Sequence, residues 1–194
     1  MNKWKVAFML LLGSVILGIG TLFVLATSPV EQAAIPEPAE VVGNTVVLET
    51  TVKEFEAISK RYLQDQLDQS PLPIDIVMND SIVLKSTLTI FGVDVPIAMD
   101  FEPVVEDGNI RLKQTEMNVG KLNIPPKTVL KIMKDSLKLP DIITVLPNDE
   151  EIYVDLSRVN IADGTRVRAK EIDMPNDRIV LEMVVQGDFQ IGRA

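Results

Sequence analysis

The chain has no cysteine and no histidine among its 194 residues. The first absence excludes disulfides, thiolate metal sites and a lipid-modified cysteine anchor, so the fold must be held by packing alone. The second removes the commonest metal ligand and the commonest general base at neutral pH. Aromatic residues are scarce too, with one Trp, two Tyr and six Phe, which leaves Leu, Ile, Val and Met to build the interior. Basic residues are outnumbered, 19 against 28 acidic, for a net charge of −9. That sign repels a phosphate backbone, so nucleic acid is not an expected partner.

What the chain does have is an unbroken apolar run from Val6 to Ala26, whose only polar side chains are Ser14 and Thr21. Twenty-one residues at 1.5 Å each make a helix of about 31 Å, close to the hydrocarbon thickness of a bilayer. Lys3 and Lys5 precede it, and the first charges beyond it are Glu31, Glu37 and Glu40. The positive-inside rule therefore predicts residues 1–5 in the cytoplasm, a transmembrane helix over 6–26 and everything later outside. A cleaved signal peptide ending near Ala26-Thr27-Ser28 is the competing reading, although its apolar region would normally be shorter. Setting aside Lys3 and Lys5 leaves 17 basic against 28 acidic residues beyond the run, a net −11.

Residues 27–44 carry Pro29, Pro36 and Pro38 among glutamates and alanines, the composition of an extended linker. Residues 45–194 are long enough for one ectodomain with an ordinary core. Thr51-Val52-Lys53-Glu54 has capping-box spacing, and Val52, Phe55, Ile58, Tyr62, Leu63 and Leu67 then form one apolar helical face. From Ile74 the period falls to two: Ile82, Leu84, Leu88 and Ile90 in one phase, then Val93, Val95, Ile97, Met99 and Phe101. Glu106-Asp107-Gly108-Asn109 reads as a turn, and the phase change between Leu112 and Met117 calls for a bulge near Gln114-Thr115. A second helix, with Pro126 near its first position, is predicted to run to about Leu139 and stop at Pro140. Strand-like alternation returns around Ile152, Val167 and Ile179. The expected fold class is α+β: an N-terminal transmembrane helix, then one ectodomain of long, twisted antiparallel sheet with two helices packed on it.

No nucleophile–base pair stands at a catalytic spacing. Ser136 lies two residues from both Lys134 and Lys138, so neither lysine faces it along a helix. Asp94, Asp100 and Glu102 share one strand face and are the candidates if the chain is a carboxylate hydrolase; a solvated strand face has the same pattern. Pro147-Asn148-Asp149-Glu150-Glu151 gathers oxygen ligands without the spacing of a calcium loop. No catalytic residue, metal site or cofactor is therefore expected.

Two binding features remain. Lys127, Lys131, Lys134 and Lys138 fall within roughly 60° on the second helix, a candidate contact for an anionic lipid surface or envelope polymer. The aliphatic strands and helix faces around Phe55, Tyr62, Leu130, Met133 and Leu137 would suit a groove for a lipid or other apolar molecule. The expected function is a membrane-anchored, extracytoplasmic, non-enzymatic binding module of the bacterial cell envelope. The alternative is a scaffold with a packed interior that binds another envelope protein.

Met1-Asn2-Lys3-Trp4-Lys5 with its apolar run, Pro71-Leu72-Pro73, and Val119-Gly120-Lys121-Leu122-Asn123-Ile124-Pro125 carry a resemblance to the YpmS-like family of membrane proteins from low-GC Gram-positive bacteria. The resemblance covers nearly the whole chain. It implies a topology and a location but no catalytic residues, since that family has no assigned activity. The order of elements, without a shared motif, is also similar to that of tubular lipid-binding domains of bacterial envelopes.

Overall fold

The strand that opens the domain pairs with the strand that closes it. In the computed structural model β1 (Asn44–Thr50) lies antiparallel to β9 (Arg178–Val185), with Asn44 opposite Val185 and Thr50 opposite Ile179; β9 also pairs with β8 (Thr165–Asp173). The structure describes residues 11–18, 20, 21, 43–67, 73–90, 93–120, 124–159, 161 and 165–185. By contact the chain divides into two units, residues 1–31 and 32–194.

In the first unit the described residues are helical and exposed. Ser14 Oγ donates to the Leu11 carbonyl and Thr21 Oγ1 to that of Leu17, both at 2.8 Å, which satisfies each hydroxyl within its own helix. Among the described residues no helix is long and apolar enough to cross a membrane. The rest of the 6–26 run lies outside them, as do most of the 27–44 linker and the turns at Phe91-Gly92 and Ala162-Asp163-Gly164.

In the second unit α1 (Val52–Leu67) starts with the expected capping box: Glu54 N–H donates to Thr51 Oγ1 at 3.2 Å, and Thr51 N–H to Glu54 Oε2 at 3.3 Å. A third donor is met from far along the chain, because Val52 N–H reaches Asp177 Oδ1 at 2.8 Å. The sheet that follows is built from β2 (Ile74–Met78), β3 (Ile82–Ile90), β4 (Val93–Glu106), β5 (Asn109–Val119), β6 (Ile143–Leu146) and β7 (Glu151–Val154). Its spatial order is β2-β3-β4-β5-β7-β6, antiparallel throughout. Along β4 the residues Ile97, Met99 and Phe101 are buried while Asp94 and Glu102 are exposed, as a half-wet sheet requires. Asp100 pairs with Glu116 and Phe101 with Gln114, so Thr115 is the extra residue of a bulge, and Met117 and Val119 keep their apolar phase. The β4–β5 turn has φ of 52° at Asp107 and 83° at Gly108, the left-handed pair that a tight hairpin needs.

Two expectations need correction. The strands form not one sheet but two, six-stranded and three-stranded. After β7 the chain turns through a 3-10 helix at Leu156–Arg158, and β8 meets the first sheet by a single backbone bond outside the ladders, Ala169 N–H to the Gly108 carbonyl at 2.8 Å. A side chain at residue 108 would have to displace Arg168, its Cβ lying 2.5 Å from Arg168 Nε and 3.2 Å from Arg168 Cβ. The second helix, α2 (Pro126–Ser136), also ends a turn early: Leu137 is already extended at φ −95°, ψ 138°, two residues before Leu139, the position that Pro140 itself bars from the helical region. Both helices and the inward faces of both sheets share one core. Leu63, Leu130, Met99, Phe101, Val167, Ile179 and Leu181 all belong to it.

Candidate functional site

That core is not filled. Between α1, the inward face of the six-stranded sheet and the smaller sheet lies a cavity of about 250 Å³. α1 supplies Phe55, Ile58 and Tyr62, β2 and β3 supply Ile76 and Leu84, and β5 supplies Ile110 and Leu112. The far wall is Ile143, Val145, Ile152 and Val154 of the β6–β7 hairpin, and Leu48, Val167 and Leu181 close it from the second sheet. Every lining residue is apolar except Thr50, Ser59 and Tyr62, and none is charged.

The lining is almost wholly aliphatic, with Phe55 and Tyr62 its only rings. An apolar cavity of roughly 150 Å³ in another protein stays free of water and accepts a benzene-sized molecule. At roughly 24 cal/mol per Å³ a closed void of this size would cost about 6 kcal/mol, which is an upper bound for a cavity that opens at its rim. Such a void favours an apolar occupant over both water and vacuum.

The cavity has a mouth. Among the described residues of the domain the exposed large apolar or aromatic side chains are Val46, Val47, Leu48, Ile58, Tyr62, Val93 and Ile161. Four of these, Leu48, Ile58, Tyr62 and Ile161, line the cavity, so the apolar surface continues from the interior to the outside.

A buried polar cluster holds one wall in place. Asn109 Nδ2 donates to the Tyr153 hydroxyl at 2.8 Å, and the Leu156 N–H donates to Asn109 Oδ1 at 2.8 Å. Asp155 accepts from Ser157 N–H at 3.1 Å and from Arg158 Nε at 3.0 Å. These bonds set the 3-10 turn that carries Leu156 and Val159 to the cavity. Burial pushes the Tyr153 phenol above its ordinary pKa, and the Asp155 carboxylate adds to the effect, so it stays a neutral acceptor for Asn109. In the sequence Asn109 reads as a turn residue and Asp155 belongs to no motif. Their role depends on the β5–β7 register, which no local pattern encodes.

Of the residues expected to form an apolar groove, Phe55, Tyr62 and Met133 line the cavity. Leu130 on α2 and Leu137 just beyond it do not: both are buried in the packed core, at 0% and 9% exposure. Lys127 and Lys138 are exposed, whereas Lys131 and Lys134 are half-buried. Because α2 stops at Ser136, Lys138 lies beyond it and the helical stripe holds three lysines rather than four. Asp94 accepts from Thr89 Oγ1 at 2.8 Å and Asp100 from Ser81 Oγ at 3.2 Å, while Glu102 is exposed. Six residues along a strand separate Asp94 from Asp100 by about 20 Å, too far for joint acid–base work. Among the described residues no group of acidic side chains is placed to hold a metal ion.

A family model described as "Uncharacterized protein conserved in bacteria (DUF2140)" matches residues 2–185. The chain is also similar to "Uncharacterized protein YpmS" of Bacillus subtilis (strain 168), 29% identical over 180 residues that cover 92% of this chain and 95% of that one. No solved structure gives a significant match. With the model spanning nearly its full length, the chain belongs to this family.

Proposed function

We propose that this member of the DUF2140 family is a membrane-anchored binding module of the bacterial cell envelope, without covalent chemistry of its own. Its domain stands outside the cytoplasmic membrane and holds a hydrocarbon chain of a lipid or similar apolar envelope molecule. The observation that carries this reading is the cavity, about 250 Å³ with no charged residue in its lining. Supporting the location are the uncharged run from Val6 to Ala26, with Lys3 and Lys5 before it and acidic residues after it. A chain without His or Cys, and with its carboxylates on the wet face of β4, offers a bound molecule shelter rather than reaction.

The test leaves the protein in its membrane. Cells that make the full chain are fed a diazirine-bearing fatty acid and irradiated, and adducts are mapped by mass spectrometry. Adducts are expected on inner residues such as Ile110, Leu112 and Ile152. Adducts confined to residues 6–26 would refute the reading.

A second reading, a scaffold for another envelope protein, is favoured by β1. This strand is the outer member of its sheet, and Val46 and Val47 are 51% and 54% exposed. An edge of that kind can accept a partner's strand. Crosslinking in cells that yields one dominant protein joined through residues 44–50, with no adduct inside the cavity, would select it.

A further inference from the structure

We propose that the mouth of the cavity is a membrane-contacting lip, through which a hydrocarbon chain passes between the bilayer and the interior. This rests on the cavity reading above and adds the partner, a lipid surface. Leu48, Ile58, Tyr62 and Ile161 come from three separate stretches of chain and are 41%, 58%, 47% and 62% exposed, yet all four line one cavity. Scattered exposed apolar residues need no explanation, but a group joined to an apolar interior does. Water is a poor neighbour for that rim. An acyl chain leaving a bilayer could cross it without being hydrated.

The residue types suit an interface. Tyr62 presents an apolar ring and a polar tip, the pattern found at headgroup depth. Arg61, exposed and in no ion pair among the described residues, follows Ile58 on the outer flank of α1, where its stem can lie along apolar surface while the guanidinium stays at phosphate level. Residues 45–194 carry 17 basic against 25 acidic residues, a net −8 that opposes attraction to anionic lipid as a whole, so the contact is made by apolar side chains and not by overall charge.

Chain length permits the contact. Residues 27–43 span at most roughly 60 Å between the apolar run and β1, which lets any face of the domain reach the bilayer. The tether joins the domain at Asn44, and Leu48 on the rim is four residues later, roughly 13 Å along the strand. The point from which the domain is held therefore lies close to the mouth.

The cysteine-free sequence supplies the experiment. Ile58→Cys and Ile161→Cys are made separately in the full chain, with Lys113→Cys and Asp149→Cys as exposed positions away from the cavity, and each is labelled with an environment-sensitive fluorophore. The proteins are reconstituted in phosphatidylcholine vesicles in which about one lipid in ten carries a nitroxide quencher. A probe that meets only a single bound lipid can lose no more than about that tenth of its signal, because occupancy follows the labelled fraction. A probe facing many bilayer lipids loses several times more. Emission at 58 and 161 is expected to shift to the blue and to be quenched well beyond the labelled fraction, with neither change at 113 and 149. Rim probes that are as wet as the controls, or are quenched only to the labelled fraction, overturn the proposal. If diazirine adducts still form on Ile110 in that case, the lip alone has failed and the cavity reading stands; if they are absent, both fall.

Discussion

Replacing Val154 with Phe separates a real void from a packed interior by the sign of its effect. Val154 lies on β7 between Ile110 and Ile143, and all three face the cavity. The larger ring would occupy roughly 50 Å³ of it. At roughly 24 cal/mol per Å³, that filling should stabilise the lipid-free domain by about 1 kcal/mol. In a close-packed core the same substitution forces neighbours off their rotamers and costs about 1–3 kcal/mol. The residues from 32 onward form a compact unit and can be stripped of lipid, and urea unfolding then reads the difference as a shift of midpoint at constant slope. A higher midpoint is expected, together with weaker labelling of Ile110 by the diazirine fatty acid in cells. A midpoint lowered at constant slope by the equivalent of 1 kcal/mol or more would show that nothing is missing from this core, and the argument from the cavity would collapse.

Asn109→Ala removes two buried hydrogen bonds and leaves the Leu156 N–H and the Tyr153 hydroxyl without partners, so urea unfolding should show a loss of about 3 kcal/mol; a loss below about 1 kcal/mol would mean that the cluster does not hold the wall. Ser86 Oγ is buried without a hydrogen-bond partner, in a recess of about 10 Å³ beneath Val129 and Ile132, so Ser86→Ala should leave stability unchanged or raise it by up to about 1 kcal/mol. A clear loss would instead reveal a bonded water or ligand group at that hydroxyl. Hydrogen bonds from the Thr51 N–H, and from the Thr50 and Thr51 hydroxyls, hold the Glu54 carboxylate below its ordinary pKa of 4.5. Its contribution is therefore full above that value and is lost as pH falls through the lowered one. The stability difference between the wild type and Glu54→Gln should shrink over that window, and a difference that does not change with pH would remove Glu54 from the cap.

Much of the local structure was decided by neighbours in the sequence. Thr51 and Glu54 are three apart, close enough to cap α1 wherever the helix goes, and the hydrogen bonds between them are present. Asp107-Gly108 tolerates the left-handed backbone that turns β4 into β5, and the slipped phase after Leu112 required the bulge found at Thr115. These features depend on steric and hydrogen-bonding preferences over a few residues, which any partner arrangement preserves. The absence of Cys and His and the scarcity of aromatics likewise determined that the interior would be mainly aliphatic and held by packing. Tertiary structure decided the rest. Residue pattern along β1 and β9 does not say which strand lies alongside: Val46, Val47 and Leu48 are apolar in succession, and Ile179, Val180 and Leu181 are buried in succession. The smaller sheet therefore depends on residues as distant as Val52 and Asp177, 125 positions apart, being brought together. Whether Leu130 and Met133, one turn apart on α2, meet packed core or cavity depends on what stands opposite each, and only Met133 faces the void. A cavity is a mismatch of volumes between surfaces far apart in the chain. Sequence pattern records which faces are apolar, whereas the space left between them exists only once the faces have met.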